Sequence, residues 1–310
     1  MNKTTAKLSR IAFMIIALAI VVIFSASCAF AKMNVVTTTP DLADIASNIG
    51  GDKITVVSIA KGYQDPHFVE AKPSFMTILA KADLYLVTGM ELEQGWSPIL
   101  EQGARNTAVM KGGASYIDCS SAIQPLEANV KADRSLGDVH PYGNPHYLLD
   151  PQNGIVVAGT IYKAFKKKDP ANAAYYEANY KTFVSALTKK QIEWLKAMKP
   201  YKGLKVVTYH KTWVYFARRF GLDVVAQVEP KPGISPSPAH IASLIKMMKE
   251  QKVKVLIREP HFESKIPDMI CRETGAKQVV MPIMPGGVSG SNSYIGMFDF
   301  IINHLTAAAR

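Results

Sequence analysis

Cysteine is nearly absent: three occur in 310 residues, and one of them, Cys28, lies in an N-terminal segment of distinct character. Cys119 and Cys271 fall in opposite halves of the chain and no C-x-x-C pair exists, so a thiolate metal site is excluded. The pair reads instead as two separately buried thiols. H-E-x-x-H is missing, as is the Lys-Ser/Thr ending of a P-loop, and Gly287-Val288-Ser289-Gly290-Ser291 fails the nucleophile-elbow pattern at its last position. Acids are in the minority, 25 against 36 Lys and Arg, for a net charge of +11. No aromatic-plus-basic motif accompanies that charge, so nucleic acid is not the expected partner. Lys166-Lys167-Lys168 reads as a solvated helix end, and the basic balance as solubility or electrostatic docking to a membrane partner.

The long apolar run sits at the N-terminus. Lys3, Lys7 and Arg10 precede Ile11 to Phe24, and Ala29-Phe30-Ala31 forms an A-x-A cleavage signal before Lys32. The run is shorter than the ~20 residues that span a bilayer, so residues 1–31 are read as a signal peptide and the mature protein as exported. A lipid on Cys28 is a second reading, ranked below simple cleavage because Ser25 replaces the usual aliphatic residue. The mature chain, 48% hydrophobic over the full sequence, can bury a large core in one or two domains.

Strand-like and helix-like segments alternate along it. Strands are expected at 34–39, 53–60 and 84–87, with helices at 40–49 and 74–82. The plan returns with strands at 205–209, 224–228, 253–257 and 278–281, and helices at 212–220, 238–251 and 293–307. Such alternation argues for βαβ units and mainly parallel sheets flanked by helices. Between the halves, 152–167 and 171–199 are both helix-like, interrupted at Asp169-Pro170. The second would form one helix of about 43 Å at 1.5 Å per residue. The expected organisation is an N-terminal lobe at 32–170, a linking helix at 171–199 and a C-terminal lobe at 200–310, with the helix as a stiff spine.

Three histidines stand in similar loop settings: Asp65-Pro66-His67-Phe68, Asn144-Pro145-His146-Tyr147 and Thr208-Tyr209-His210-Lys211. Neutral imidazole is the commonest protein ligand for zinc-like cations. Three of them brought from distant segments into a cleft between lobes would make a metal-binding device. His140, in a polar loop with Asp133 and Asp138, reads as an ordinary loop residue, and His240 and His304 as structural.

On these residues the chain resembles a metal-binding solute-binding protein of an ABC uptake transporter, of the zinc/manganese class whose lobes are joined by a long helix. The resemblance rests on Asp65-Pro66-His67 with Lys72-Pro73-Ser74, on Asn144-Pro145-His146-Tyr147-Leu148-Leu149-Asp150-Pro151, and on Tyr209-His210 leading into Tyr215-Phe216. Ser235-Pro236-Ser237-Pro238, Arg258-Glu259-Pro260 and Glu273-Thr274-Gly275-Ala276 follow in the family's order. It implies His67, His146 and His210 as metal ligands, zinc as cargo (manganese or another divalent transition metal as alternatives), a membrane permease as partner, and a monomeric, extracytoplasmic carrier that is not an enzyme. The family's usual fourth ligand, a carboxylate after the strand that follows the Thr-Gly-Ala segment, has no counterpart in Val279 to Gly287. Glu259 is the first substitute, His261 the second, and water or a small anion the third. Asp65 is placed to orient an imidazole. Gly286 to Gly290 reads as a cleft loop. The competing reading is an exported zinc-dependent hydrolase, since three histidines with an open position also suit catalysis.

Overall fold

A computed structural model describes residues 32–128 and 140–310. The expected signal peptide, Cys28, Asp133 and Asp138 lie outside the described residues. β-Branched runs form β1 (Met33–Thr37), β2 (Ile54–Ser58) and β3 (Leu84–Val87), which with β4 (Tyr116–Asp118) make a first sheet in the order β2-β1-β3-β4. All its pairings are parallel, with Val35 opposite both Val56 and Leu84. β3 is buried along its whole length, as expected of a sheet covered on both faces. The covering helices are α1 (Pro40–Gly50), α2 (Pro73–Ala80) and α3 (Ser97–Ala104).

A second parallel sheet repeats the arrangement. β5 (Lys205–Thr208), β6 (Asp223–Gln227), β7 (Val255–Arg258) and β8 (Lys277–Val280) lie in the order β6-β5-β7-β8. Its helices are α6 (Val214–Phe220), α7 (Pro238–Glu250) and α8 (Lys265–Thr274). Three elements were not expected from the sequence: α3, β4 and α8. β4 has only three residues, too few for a period to show. Pro267 disguises α8, but it falls in the first turn, where a proline's missing N–H costs no hydrogen bond.

Between the sheets run α4 (Pro151–Lys168) and α5 (Ala173–Met198), separated by the break at Asp169-Pro170. α4 ends on the exposed Lys166-Lys167-Lys168. The 26 residues of α5 are unbroken, flanked by short 3-10 turns, so the long-helix reading holds over two ordinary helices. Aromatic pairs lock α5 onto α4: Tyr162 stacks on Tyr180 at 5.0 Å and Phe165 meets Tyr176 edge-on. Asn179 donates to the Ile49 carbonyl at the end of α1. Farther along, the Trp194 indole donates to Asp299 on α9 (Tyr294–Ala308) at 2.8 Å and packs on Phe298. One helix thus contacts elements of both halves. Cys119 is buried and Cys271 half-buried, both unbridged, and burial pushes the Cys271 thiol up to about 11.

Candidate metal centre

Two of the three histidine loops use the same local device. Asp65 Oδ1 accepts the backbone N–H of His67 at 2.9 Å, and Asn144 Oδ1 accepts that of His146 at 3.1 Å. These are Asx turns, in which a short polar side chain substitutes for a backbone acceptor two residues back, and the intervening proline fixes the turn. The Trp96 indole pins the first loop by donating to the Pro66 carbonyl. His210 is placed differently. It leaves the carboxyl end of β5, where the Thr208 hydroxyl donates to its carbonyl at 2.7 Å. That is the edge at which open parallel sheets present ligand-binding groups.

The fold brings His67, His146 and His210 together. Their ring centroids are 5.1, 5.6 and 5.7 Å apart, and one candidate ligand atom from each lies within 4.8 Å of the others. Donors on a tetrahedral zinc are ~3.4 Å apart, and a separation of up to 4.8 Å is of the same order. Nε2 of His67 and of His146 is buried with no hydrogen-bond partner, a costly state for a polar atom unless a ligand satisfies it. Carboxylates hold the far side of two rings: Asp65 Oδ1 lies 2.8 Å from His67 Nδ1, and Glu229 Oε2 lies 2.7 Å from His210 Nδ1. Such a pairing fixes ring orientation and makes the opposite nitrogen a better donor.

Electrostatics separate two of the rings, His146 and His210. Burial drives His146 well below the ordinary imidazole range, reinforced by His67, His210, His140 and His261. For His210 burial also pushes downward, but the Glu229 hydrogen bond and the charges of Glu259, Glu229 and Asp65 outweigh it, and the ring titrates higher than usual. Burial would raise Asp65, yet its bonds to His67 and the nearby charges of His67 and His261 hold it at about 2.

Glu259 follows β7 and is fully buried. Its Oε1 accepts from the Trp213 indole at 2.9 Å and its Oε2 has no partner. Burial pushes its carboxyl up to about 7, against the lowering influence of His210, Thr212 and Trp213. The close triad does not include it. His261 Nε2 lies 4.0 Å from Asp65 Oδ2, while its Nδ1 is buried without a partner, and burial lowers the ring to about 4. The His140 ring stands 5.3 Å from that of His67, beside the triad and not merely in a neighbouring loop. His240 meets the Gln227 carbonyl and His304 the Phe300 carbonyl, away from the cluster.

Sequence reading missed Glu229 and the part played by Asn144. A signal for Glu229 existed. Val228-Glu229-Pro230 closes β6 as Arg258-Glu259-Pro260 closes β7, placing a glutamate at the carboxyl edge of two strands in the same sheet.

Two parallel-sheet lobes tied by a long helix, with a triad of histidines gathered from three loops, define a metal-binding solute-binding protein. The family model described as zinc-uptake complex component A, periplasmic (ZnuA), matches residues 35–308, and the chain belongs to that family. It is therefore a binding component and not an enzyme, and the hydrolase reading falls. The manganese ABC transporter substrate-binding lipoprotein ScaA of Streptococcus gordonii is 28% identical over 281 residues, covering 89% of this chain and 88% of the relative. The corresponding lipoprotein PsaA of Streptococcus pneumoniae is 28% identical over 271 residues, covering 85% and 84%. A crystal structure of ZnuA superposes with a TM-score of 0.77 at 26% identity, over 90% of this chain and 100% of that one. In fold alone, FpvC of Pseudomonas aeruginosa, solved with Mn2+, matches with a TM-score of 0.75 at 24% identity, over 90% and 98%.

Proposed function

We propose that this protein captures zinc outside the cytoplasm through His67, His146 and His210 and delivers it to an ABC-type permease. The observation that carries the reading is the convergence of three distant imidazoles, two of them with a buried, unpartnered nitrogen. The streptococcal relatives are named as manganese carriers, so the choice of metal rests on this chain's donors. Carboxylate, carbonyl and water oxygens suit manganese, whereas imidazole suits zinc, and a given nitrogen site binds zinc more tightly than manganese. Here the close set is all nitrogen, and the segment Val279 to Gly287 supplies no acid. Glu259 is the candidate fourth donor. Its buried, unpartnered Oε2 marks it, although it lies outside the close triad. As cargo, the cation binds and leaves; the residues hold it and release it.

Competitive titration of the mature protein with zinc and manganese tests the reading. Zinc should bind at one site at least about a hundredfold more tightly, a difference of roughly 2.7 kcal/mol. A His67→Ala/His146→Ala double variant should lose tight binding altogether. Manganese preference would refute the choice of metal, and undiminished binding in the double variant would refute the site.

A further inference from the structure

We infer that Asn144 is a positioning residue of the metal centre: its side-chain amide ties the loop carrying His146 to the loop carrying His210 and so sets the spacing of two imidazoles. This inference rests on the reading of the triad as the cation site.

Asn144 is buried, and its side chain faces two ways. Its Oδ1 accepts the N–H of His146, while its Nδ2 donates to the Lys211 carbonyl at 2.8 Å, one residue beyond His210. The same Nδ2 lies 3.3 Å from Glu127 Oε2, and Glu127 Oε1 in turn pairs with the Lys211 ammonium at 2.7 Å. Glu127, Asn144 and Lys211 thus form a closed ring of contacts beside the histidines. The surroundings demand an amide. One neighbour is a donor, and two are acceptors, so a hydroxyl is too short and a carboxylate offers no hydrogen to the Lys211 carbonyl or to Glu127.

The backbone of Asn144 is fixed as well. Its N–H donates to the Leu126 carbonyl at 2.8 Å, and its carbonyl accepts from the Tyr215 hydroxyl at 2.9 Å. That hydroxyl also accepts the Leu126 N–H. Tyr215 lies on α6, directly after the His210 loop, so side chain and backbone of Asn144 both reach the segment that presents His210. The three histidines come from three loops and no shared element, so their spacing depends on such cross-ties. Loosening this one leaves each imidazole intact but lets the His146–His210 distance drift.

The test compares the full mature protein with Asn144→Asp, a change of nearly identical shape. Zinc release into excess chelator, followed by stopped flow, should quicken by about 10–100-fold, the range typical of residues that hold metal ligands from outside. The visible absorption of the cobalt(II) form should change with it, because that band reports ligand geometry. A merely structural role would lower the unfolding temperature of the metal-free protein and leave both of those readouts unmoved. A release rate within about twofold of the parent, with an unchanged cobalt spectrum, overturns the inference. His146→Ala is run alongside and should abolish tight binding; if it does not, the site reading itself fails, and the inference with it. Should the aspartate variant not fold, Asn144→Ala decides by the same two measurements.

Discussion

The two sheets share one strand order yet use their acids for opposite ends. At the carboxyl edge of the first sheet, Glu93 accepts the backbone N–H groups of Thr88 and Gly89 at 2.6 and 3.1 Å, and Asp41 accepts from Leu42 and from the Thr39 hydroxyl. Burial raises both carboxyls, Asp41 to about 6, but their hydrogen bonds end within their own half. At the same edge of the second sheet, Glu229 is spent on His210, and Glu259 keeps one oxygen without a partner. The first half satisfies Glu93 and Asp41 with local donors; the second turns Glu229 to a ring of the triad and leaves one oxygen of Glu259 without a partner. The carboxylates beside the triad therefore come mainly from strand ends of one sheet, with Asp65 as the contribution of the other half.

Three substitutions separate these roles. Glu229→Gln should weaken zinc by about 10–100-fold, because His210 loses the charge of the partner that orients it. It should also move the pH dependence. Under the proposed reading the neutral ring binds the metal, Glu229 raises the affinity of His210 for the competing proton, and the amide lowers it again. The acid-side loss of binding should thus move to lower pH in the variant; a shift upward, or none, would contradict the assignment. Zinc titrations repeated from neutral to mildly acid buffer would show it.

Gly62→Ala addresses the contact between the loop after β2 and the loop after β8. A Cβ at Gly62 would stand 2.1 Å from the Pro285 carbonyl oxygen and 2.5 Å from the Gly287 nitrogen. Both are backbone atoms that cannot rotate away, so the loops must part, at about 1–3 kcal/mol for an overpacked site. Calorimetry should find zinc affinity lower by roughly tenfold, about 1.4 kcal/mol. Unaltered affinity would mean that the two loops yield without disturbing the triad.

The smallest effect on the cation is expected from Arg219→Ala. Arg219 Nε and Nη2 grip Asp150 at 2.7 and 2.9 Å, joining α6 to the residue that caps α4. The Arg219 side chain is 29% exposed, which tempers the bidentate geometry. Urea unfolding should reveal a loss of about 1–2 kcal/mol with zinc release unchanged. Accelerated release would show that this pair also positions the His146 loop.

Much of the architecture could be read from one dimension. β-Branched runs at 34–39 and 205–209 found their strands because such residues fit a pleated, covered surface, and the stretch free of glycine and proline after Ala171 found α5. β4 was too short to carry a pattern and α8 was masked by Pro267. The histidines were legible because each of two sits in an Asx-Pro-His turn whose hydrogen bond spans only two residues. Glu229 was not, since it lies 19 residues from His210 and meets it only because β5 and β6 are neighbours in the sheet. The cross-tie from Asn144 to Lys211 spans 67 residues and leaves no trace in local spacing.

By itself the sequence determined which segments extend or coil, which imidazoles stand in turns, and that the loop after the last strand carries no acid, because those are consequences of backbone preference within a few residues. Only the tertiary structure decided which carboxylates face the rings, that His140 stands beside the triad, and that the triad closes to within 4.8 Å. Those distances follow from strand order and from packing across the long helix, where residues far apart in the chain meet because burying them together costs less than hydrating them apart.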